Sequence, residues 1–159
     1  MGKVVLTTGV FDCGMHIGHF MLLLKCRELA GPDGIVIVGV NSDYSAEQYK
    51  RKPVFDQYER QQTVSHLSFI DFVIKINSEN DILETIKIRN VDYYVKGTEW
   101  IKLPVTGEDD CQVIFIKPIS GYHGDKMSTT EIIRRIRGDD VATPNKDSVL
   151  KAASKDKLI

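Results

Sequence analysis

The sequence predicts an α/β protein: a Rossmann-like, doubly wound parallel five-stranded sheet in a single three-layer domain. Three observations point there. Five short runs rich in β-branched and aromatic residues alternate with segments whose apolar residues recur at helical spacing. The run Ile35-Val36-Ile37-Val38-Gly39-Val40 is continuously apolar, as a central parallel strand covered on both faces must be. The first run leads through a glycine-rich turn into a helical segment, the order in which such a sheet presents backbone N–H groups to a phosphate.

In chain order, Lys3 to Leu6 is a short buried strand ending at Thr7-Thr8-Gly9. The loop Gly9-Val10-Phe11-Asp12-Cys13-Gly14-Met15-His16-Ile17-Gly18-His19 follows, then a helix from Phe20 to Leu29 with a core-facing stripe of Phe20, Leu23, Leu24 and Leu29. Gly31-Pro32-Asp33-Gly34 stops that helix. The second strand, Ile35 to Val40, is capped by Asn41-Ser42-Asp43, and the polar residues 44–53, with Lys50-Arg51-Lys52-Pro53, read as a mobile basic loop. A helix from about Asp56 to Leu67 draws apolar contacts from Val64, Leu67 and Phe69. Phe72 to Ile76 is the third strand, and Asp81 to Asn90 is an amphipathic helix on Ile82, Leu83, Ile86 and Ile88.

Tyr93 to Val95 is the fourth strand, ending at Lys96-Gly97-Thr98-Glu99-Trp100, and Val113 to Ile116 is the fifth. Ser120 to Met127 is a glycine-bearing loop, after which Ser128-Thr129-Thr130-Glu131 opens a last helix through Arg137 with a capping-box pattern. This places a domain over 1–138 and a polar tail over 139–159, with a short helix near Ser148 to Ala153. Ligands in such sheets sit at the carboxyl ends of strands near the topological switch point. Strands one, two, four and five carry polar residues there.

Composition narrows the function. The 159 residues are 42% hydrophobic and 27% charged, enough for one domain with its own core. A net charge of −1 argues against sequence-independent nucleic-acid binding. Mean hydropathy is −0.17, and no apolar run approaches the ~20 residues of a membrane span. No secretory signal pattern opens the chain. Cys13, Cys26 and Cys111 are scattered and odd in number, so no disulfide framework is expected and the setting reads as reducing and cytoplasmic.

His16 and His19 stand three residues apart where a helix begins, which puts both imidazoles on one face, within reach of a single anion. Isolated histidines would more often be surface or capping residues, but the pair in this loop favours a phosphate site. A Cys13/His16/His19 metal site matches no common zinc spacing and lacks an obvious fourth ligand, so no metal site is expected. Cys13 as a nucleophile has no dedicated base nearby.

The loop resembles the Gly-x-Phe-Asp-x-x-His-x-Gly-His signature of the cytidylyltransferase-like nucleotidyltransferases. That group includes glycerol-phosphate and ethanolamine- or choline-phosphate cytidylyltransferases and heptose-phosphate adenylyltransferases. The resemblance runs from residue 3 to about 137 and adds, in order, Asn41-Ser42-Asp43, Lys52-Pro53-Val54 with Arg60, Lys96-Gly97 and Ser128-Thr129-Thr130. It implies transfer of a nucleoside monophosphate from an NTP to a small phosphorylated or phosphonate acceptor, releasing pyrophosphate, with Mg²⁺ bound through the NTP phosphates. CTP stands slightly ahead of ATP: Glu99-Trp100 resembles the glycerol-phosphate cytidylyltransferases, whereas Asn41-Ser42-Asp43, Lys52-Pro53-Val54 and Lys96-Gly97 resemble the heptose-phosphate adenylyltransferases. A nucleotide-binding module without turnover is the alternative of another class. Homodimers are common among the resembling proteins.

By this resemblance His16 and His19 are the catalytic pair, and Arg51 and Lys52 belong to the lysine-bearing loop that closes on the phosphates; which of Lys50, Arg51 and Lys52 does so is left open. Thr8, Gly9, Val10, Phe11, Asp12 and Gly18 line the nucleotide. Gly18 removes a side chain where phosphate approaches, and Asp12 either orients the loop by accepting backbone hydrogen bonds, the preferred reading, or touches the acceptor. Arg60 aligns with an arginine of the adenylyltransferases, with a surface helix arginine as the alternative. Lys96, Gly97, Glu99 and Trp100 fall where the family contacts the nucleoside; Trp100 either stacks on a ring or caps the core, and the sole Trp of a domain is more often core. Ser128, Thr129 and Thr130 match the segment that binds the β- and γ-phosphates. His123, with Lys126 nearby, stands where glycerol-phosphate enzymes carry an arginine. One departure is visible: Cys13, Gly14 and Met15 separate Asp12 from His16 where the signature has two residues, and Gly14 is expected to absorb the third as a bulge.

Overall fold

The structure is a computed structural model that describes residues 2–48, 50–117 and 128–138. Its elements are β1 (Val4–Gly9), α1 (Ile17–Ala30), β2 (Ile35–Asn41), α2 (Asp43–Glu47), α3 (Gln57–Ser65), β3 (Phe72–Ile76), α4 (Glu79–Arg89), β4 (Tyr93–Gly97), a 3₁₀ turn (Thr98–Trp100), β5 (Gln112–Ile116) and α5 (Thr129–Arg137). The sheet order is β3-β2-β1-β4-β5 and every pairing is parallel. Val5 lies opposite Val36 on one side and Tyr93 on the other. The chain thus winds outward through β1, β2 and β3, then returns to the far side of β1 with β4 and β5. The reversal between β1 and β4 is the switch point.

Strand alternation sorts the core into two layers. On one face Val5, Val36, Val38, Val40 and Val95 pack with Leu23, Cys26 and Ala30 of α1 and Val64 of α3. On the other, Leu6, Ile37, Ile76 and Tyr94 pack with Ile82 and Ile86 of α4 and with Val105. Helices therefore cover both faces, the three-layer arrangement expected.

Several local expectations are corrected. Within 44–53, expected as loop, α2 occupies 43–47 with Ser45 and Ala46 buried, and the Ser42 side chain accepts from Ser45 N at 3.1 Å. Ser42 is thus a helix N-cap as well as the residue after β2. Leu24 and Ile88, both assigned to core stripes, are 45% and 73% exposed. The buried stripe of α1 is Leu23, Cys26 and Ala30, and Leu24 is one residue, about 100°, out of phase with it. The remaining elements match to within a few residues at their ends.

The chain divides into two compact units, residues 1–129 and 130–159, where the sequence predicts a boundary after 138. In the second unit the described residues belong to α5 and its end. Glu131 there accepts from Arg134 at 2.8 Å and Arg135 at 2.7 Å. The expected 120–127 loop, with His123 and Lys126, and the 139–159 tail lie outside the described residues. No helix among the described residues is long and apolar enough to cross a membrane.

Candidate active site

The loop between β1 and α1 turns sharply. Phe11, Cys13, Gly14 and Met15 all have positive φ, between 52° and 67°, and Met15 N donates to Asp12 O at 3.3 Å. The extra residue of the signature is taken up in this turn. Left-handed non-glycine residues each cost on the order of 1 kcal/mol, and surrounding packing holds them in place. Phe11 and Met15 are buried beneath α1, and Asp12 is clamped from several sides.

His16 then caps α1. Its Nδ1 accepts from Gly18 N at 3.1 Å, and His19 Nδ1 accepts from His16 N at 3.3 Å. This is a reciprocal capping box in which imidazoles replace hydroxyl and carboxylate. The two rings stack with centroids 3.8 Å apart, and Phe11 lies against His19 at 5.2 Å. Because each Nδ1 accepts a backbone N–H, the hydrogen-bond pattern assigns the neutral proton of both rings to Nε2. Burial lowers the pKa of His16. Burial also pulls His19 down to about 3, reinforced by the charges of His16 and Lys50 and opposed by Asp12. Near neutral pH the pair is two neutral Nε2–H donors at the positive end of a helix dipole.

The Asp12 carboxylate, 2% exposed, ties this loop to the basic segment. It accepts from the backbone N of Cys13 at 2.8 Å, Val54 at 2.9 Å and Phe55 at 3.0 Å, and from Arg51 Nη1 at 3.0 Å. This is the loop-orienting role preferred from sequence. Burial alone would raise its pKa, but those N–H groups and Arg51 outweigh burial and hold it below the usual carboxylate value. Arg51 is thereby engaged with Asp12, and Lys52 is exposed. Lys50, exposed at the head of the segment, is the cation whose charge depresses both His19 and Lys96.

Arg60 is 0% exposed. It donates to Val10 O (2.7 Å) and Asn41 O (2.8 Å) through Nη1, to Phe55 O (3.0 Å) through Nε and to Asp43 Oδ1 (2.6 Å) through Nη2. It binds the ends of β1 and β2 to the segment before α3. The alternative of a surface helix arginine is thereby corrected: the guanidinium turns inward and positions these segments.

Across the switch point, Lys96 Nζ lies 3.3 Å from both Thr8 Oγ1 and Tyr94 OH, which bond each other at 2.6 Å. It also sits 4.0 Å above the Trp100 ring centroid. Trp100 is half-buried and packs on the α4-side core. Glu99 is exposed, and its carboxylate folds over Gly97, where an added Cβ would lie 2.1 Å from Oε2. Ser128 precedes α5, and Thr129 and Thr130 open it.

The structure thus gathers Asp12, His16, His19 and Arg51 around one turn, and Thr8, Lys96 and Trp100 around another point at the β1–β4 ends. Two participants escaped the sequence-based site assignment. Lys50 could not be told from its basic neighbours. Tyr94 had a usable signal, since it lies two residues before Lys96 on the same face of a strand. Among the described residues no group of three or more His, Cys, Asp or Glu side chains is placed to hold a metal ion.

The cytidylyltransferase-like family model matches residues 6–135. The Bifunctional protein HldE of a Nitratiruptor species is 36% identical over 138 residues, covering 85% of this chain and 28% of that protein. Its counterpart in Campylobacter curvus is 36% identical over 141 residues, covering 87% and 28%. The chain therefore spans little more than a quarter of the length of these relatives. In fold it is similar to the lipopolysaccharide core biosynthesis protein from Thermoplasma volcanium, with a TM-score of 0.58 at 23% identity over 75% of this chain and 98% of that one.

Proposed function

The chain belongs to the cytidylyltransferase-like family; from that premise we propose that it is a nucleotidyltransferase, transferring a nucleoside monophosphate from an NTP to a small phosphorylated or phosphonate acceptor. The observation that carries this reading is the stacked His16/His19 pair, whose Nε2–H donors stand at the start of α1. An acceptor oxygen forms a bond to the α-phosphorus while the bond to the bridging oxygen breaks, and pyrophosphate leaves with that electron pair. The acceptor arrives as an anion, so no general base is needed. The protein's task is alignment and stabilisation of charge on the transferring phosphoryl oxygens. His16 and His19 donate to those oxygens without first losing a proton, the α1 N-terminus adds its dipole, and Lys50 supplies positive charge. Ser128, Thr129 and Thr130 belong to the β,γ-phosphate side in this reading.

Mg²⁺ enters this scheme through the triphosphate oxygens, which suits a site whose buried carboxylate, Asp12, is already engaged by four donors. When bound it neutralises charge on the leaving pyrophosphate. The nucleotide is CTP in the first reading, on the strength of Glu99-Trp100. ATP is the second and is supported about as well. The heptose-phosphate adenylyltransferase-like motifs point to it, and the curated relatives bear the HldE name.

The test supplies Mg²⁺, CTP or ATP, and a panel of phosphorylated polyols, sugars and phosphonates, and follows pyrophosphate, with nucleotide binding measured by calorimetry. Turnover with one nucleotide is expected, and His16→Ala or His19→Ala should lower kcat by about 10²–10³. Absence of both turnover and nucleotide binding sinks the proposal. Saturable binding without turnover on any acceptor supports the silent module instead.

A further inference from the structure

Lys96 is 9% exposed, yet no carboxylate among the described residues lies within ion-pair distance of its ammonium. Its partners are two hydroxyls, Thr8 Oγ1 and Tyr94 OH, and the Trp100 ring. A buried ammonium is costly unless an anion accompanies it. Asp12 is held by Arg51 and three backbone N–H groups and Asp43 by Arg60, while Glu99, whose charge favours the Lys96 ammonium, is exposed against Gly97 and forms no ion pair with it. A fixed cation, framed by hydroxyls and without an ion-paired carboxylate among the described residues, stands at the switch point, where such sheets take their ligands.

We propose that Lys96, framed by Thr8 and Tyr94, anchors the anionic group of the acceptor rather than the nucleotide. The proposal rests on the transfer reading above. Strand alternation puts Lys96 with Tyr94 on the α4 side of the sheet, whereas His16 and His19 begin the helix that covers the opposite side. With the histidines engaged on the transferring phosphoryl oxygens, a cation across the strand ends from them is left for the anionic group of the second substrate. Charge favours the same assignment. The triphosphate arrives with a divalent ion, but the acceptor must bring its own negative charge up to that triphosphate without one. A fixed ammonium offsets the repulsion and selects an acceptor bearing a compact phosphate or phosphonate.

The test uses inorganic phosphate as the probe, followed by ³¹P NMR, in the full chain with and without saturating α,β-methylene CTP or ATP. Lys96→Met removes the charge at similar length, and an apolar group in place of an unpaired buried ion leaves folding intact, to be checked by thermal melting. Phosphate binding to the wild type is expected, weakened at least about tenfold in Lys96→Met, with nucleotide-analogue affinity within about threefold of wild type. Lys96→Arg should bind phosphate better than Lys96→Met. A wild-type protein that binds no phosphate with or without analogue overturns the assignment. So does a Lys96→Met protein that keeps phosphate affinity, or one that loses analogue affinity instead. Where an acceptor turns over, its KM should rise in Lys96→Met while the nucleotide KM holds. An unchanged acceptor KM defeats the subsite and leaves the transfer reading standing. Phosphate binding of the expected kind with no turnover on any acceptor defeats the transfer reading and leaves the subsite.

Discussion

Replacing Asp12 by alanine tests how the signature loop and the basic segment are held together. The side chain is 2% exposed and accepts from three backbone N–H groups, those of Cys13, Val54 and Phe55, besides Arg51. A donor left without its partner costs about 1–3 kcal/mol. Because these bonds are part-buried and water reaches some of the donors, the lower figure applies to each, about 3 kcal/mol in all. Arg51 is 39% exposed, so its ion pair is screened and contributes under about 1 kcal/mol. Asp12→Ala should therefore lower a urea midpoint by about 1.5 M, taking a slope of about 2 kcal/mol/M. Arg51→Gln should lower it by less than a third of that. Asp12→Asn should resemble alanine, since its NH₂ would face donors. Acid sharpens the comparison. A carboxyl whose pKa is lowered on folding contributes stability that is present above its unfolded value of 3.8 and lost as pH falls through the folded value. Asp12→Ala should flatten that acid limb. If Arg51→Gln proves as costly as Asp12→Ala, or Asp12→Ala costs under about 1 kcal/mol, the backbone-donor reasoning is wrong.

Other outcomes follow from the same geometry. Arg60→Met strands the carbonyls of Val10, Asn41 and Phe55 beside Asp43 and should cost about 3–5 kcal/mol in denaturant unfolding, with Arg60→Lys recovering only part; a loss typical of a surface site would refute the clamp. His19 titrates at about 3 in the folded protein, against 6.5 when unfolded, so the unfolded chain binds more protons between those values. Stability should fall as pH drops below about 6.5, by at most about 1.4 kcal/mol per unit from this group. His19→Asn should remove that part of the slope, and an unchanged slope would assign it elsewhere. Burial lowers Lys96 to about 8, with Lys50 adding and Glu99 opposing. The acceptor kcat/KM should decline as pH rises through about 8, and Lys96→Arg should move that limb beyond the measured range; a limb that stays at 8 in Lys96→Arg belongs to another group.

Much of the fold was legible because local rules sufficed. The apolar run Ile35 to Val40, the turn at Gly31 to Gly34 and the helical spacings are short-range patterns, and they fit the observed sheet and helices. The errors share a cause. Leu24 stands about 100° round its helix from buried Leu23 and Ile88 about 200° round from buried Ile86, and which stripe is buried depends on where the sheet lies. Helix α2 was hidden because Ser42 serves both as the end of β2 and as an N-cap.

The site divides in the same way. By itself the sequence determined the glycine-rich strand–loop–helix, the His16/His19 pair three residues apart and the order of the family motifs, since residue type and spacing along one helix need no tertiary information. Only the tertiary structure decided what those groups do to one another. The extra residue before His16 is absorbed in a run of positive φ held by buried Phe11 and Met15. Arg60 and Asp12 turn inward to hold segments 50 and 42 residues away in sequence. Lys96 meets Thr8 across 88 residues, because parallel pairing of β1 with β4 is a long-range choice that no local pattern encodes. Charge states followed from that pairing, since burial and neighbouring charges exist only once the chain has closed.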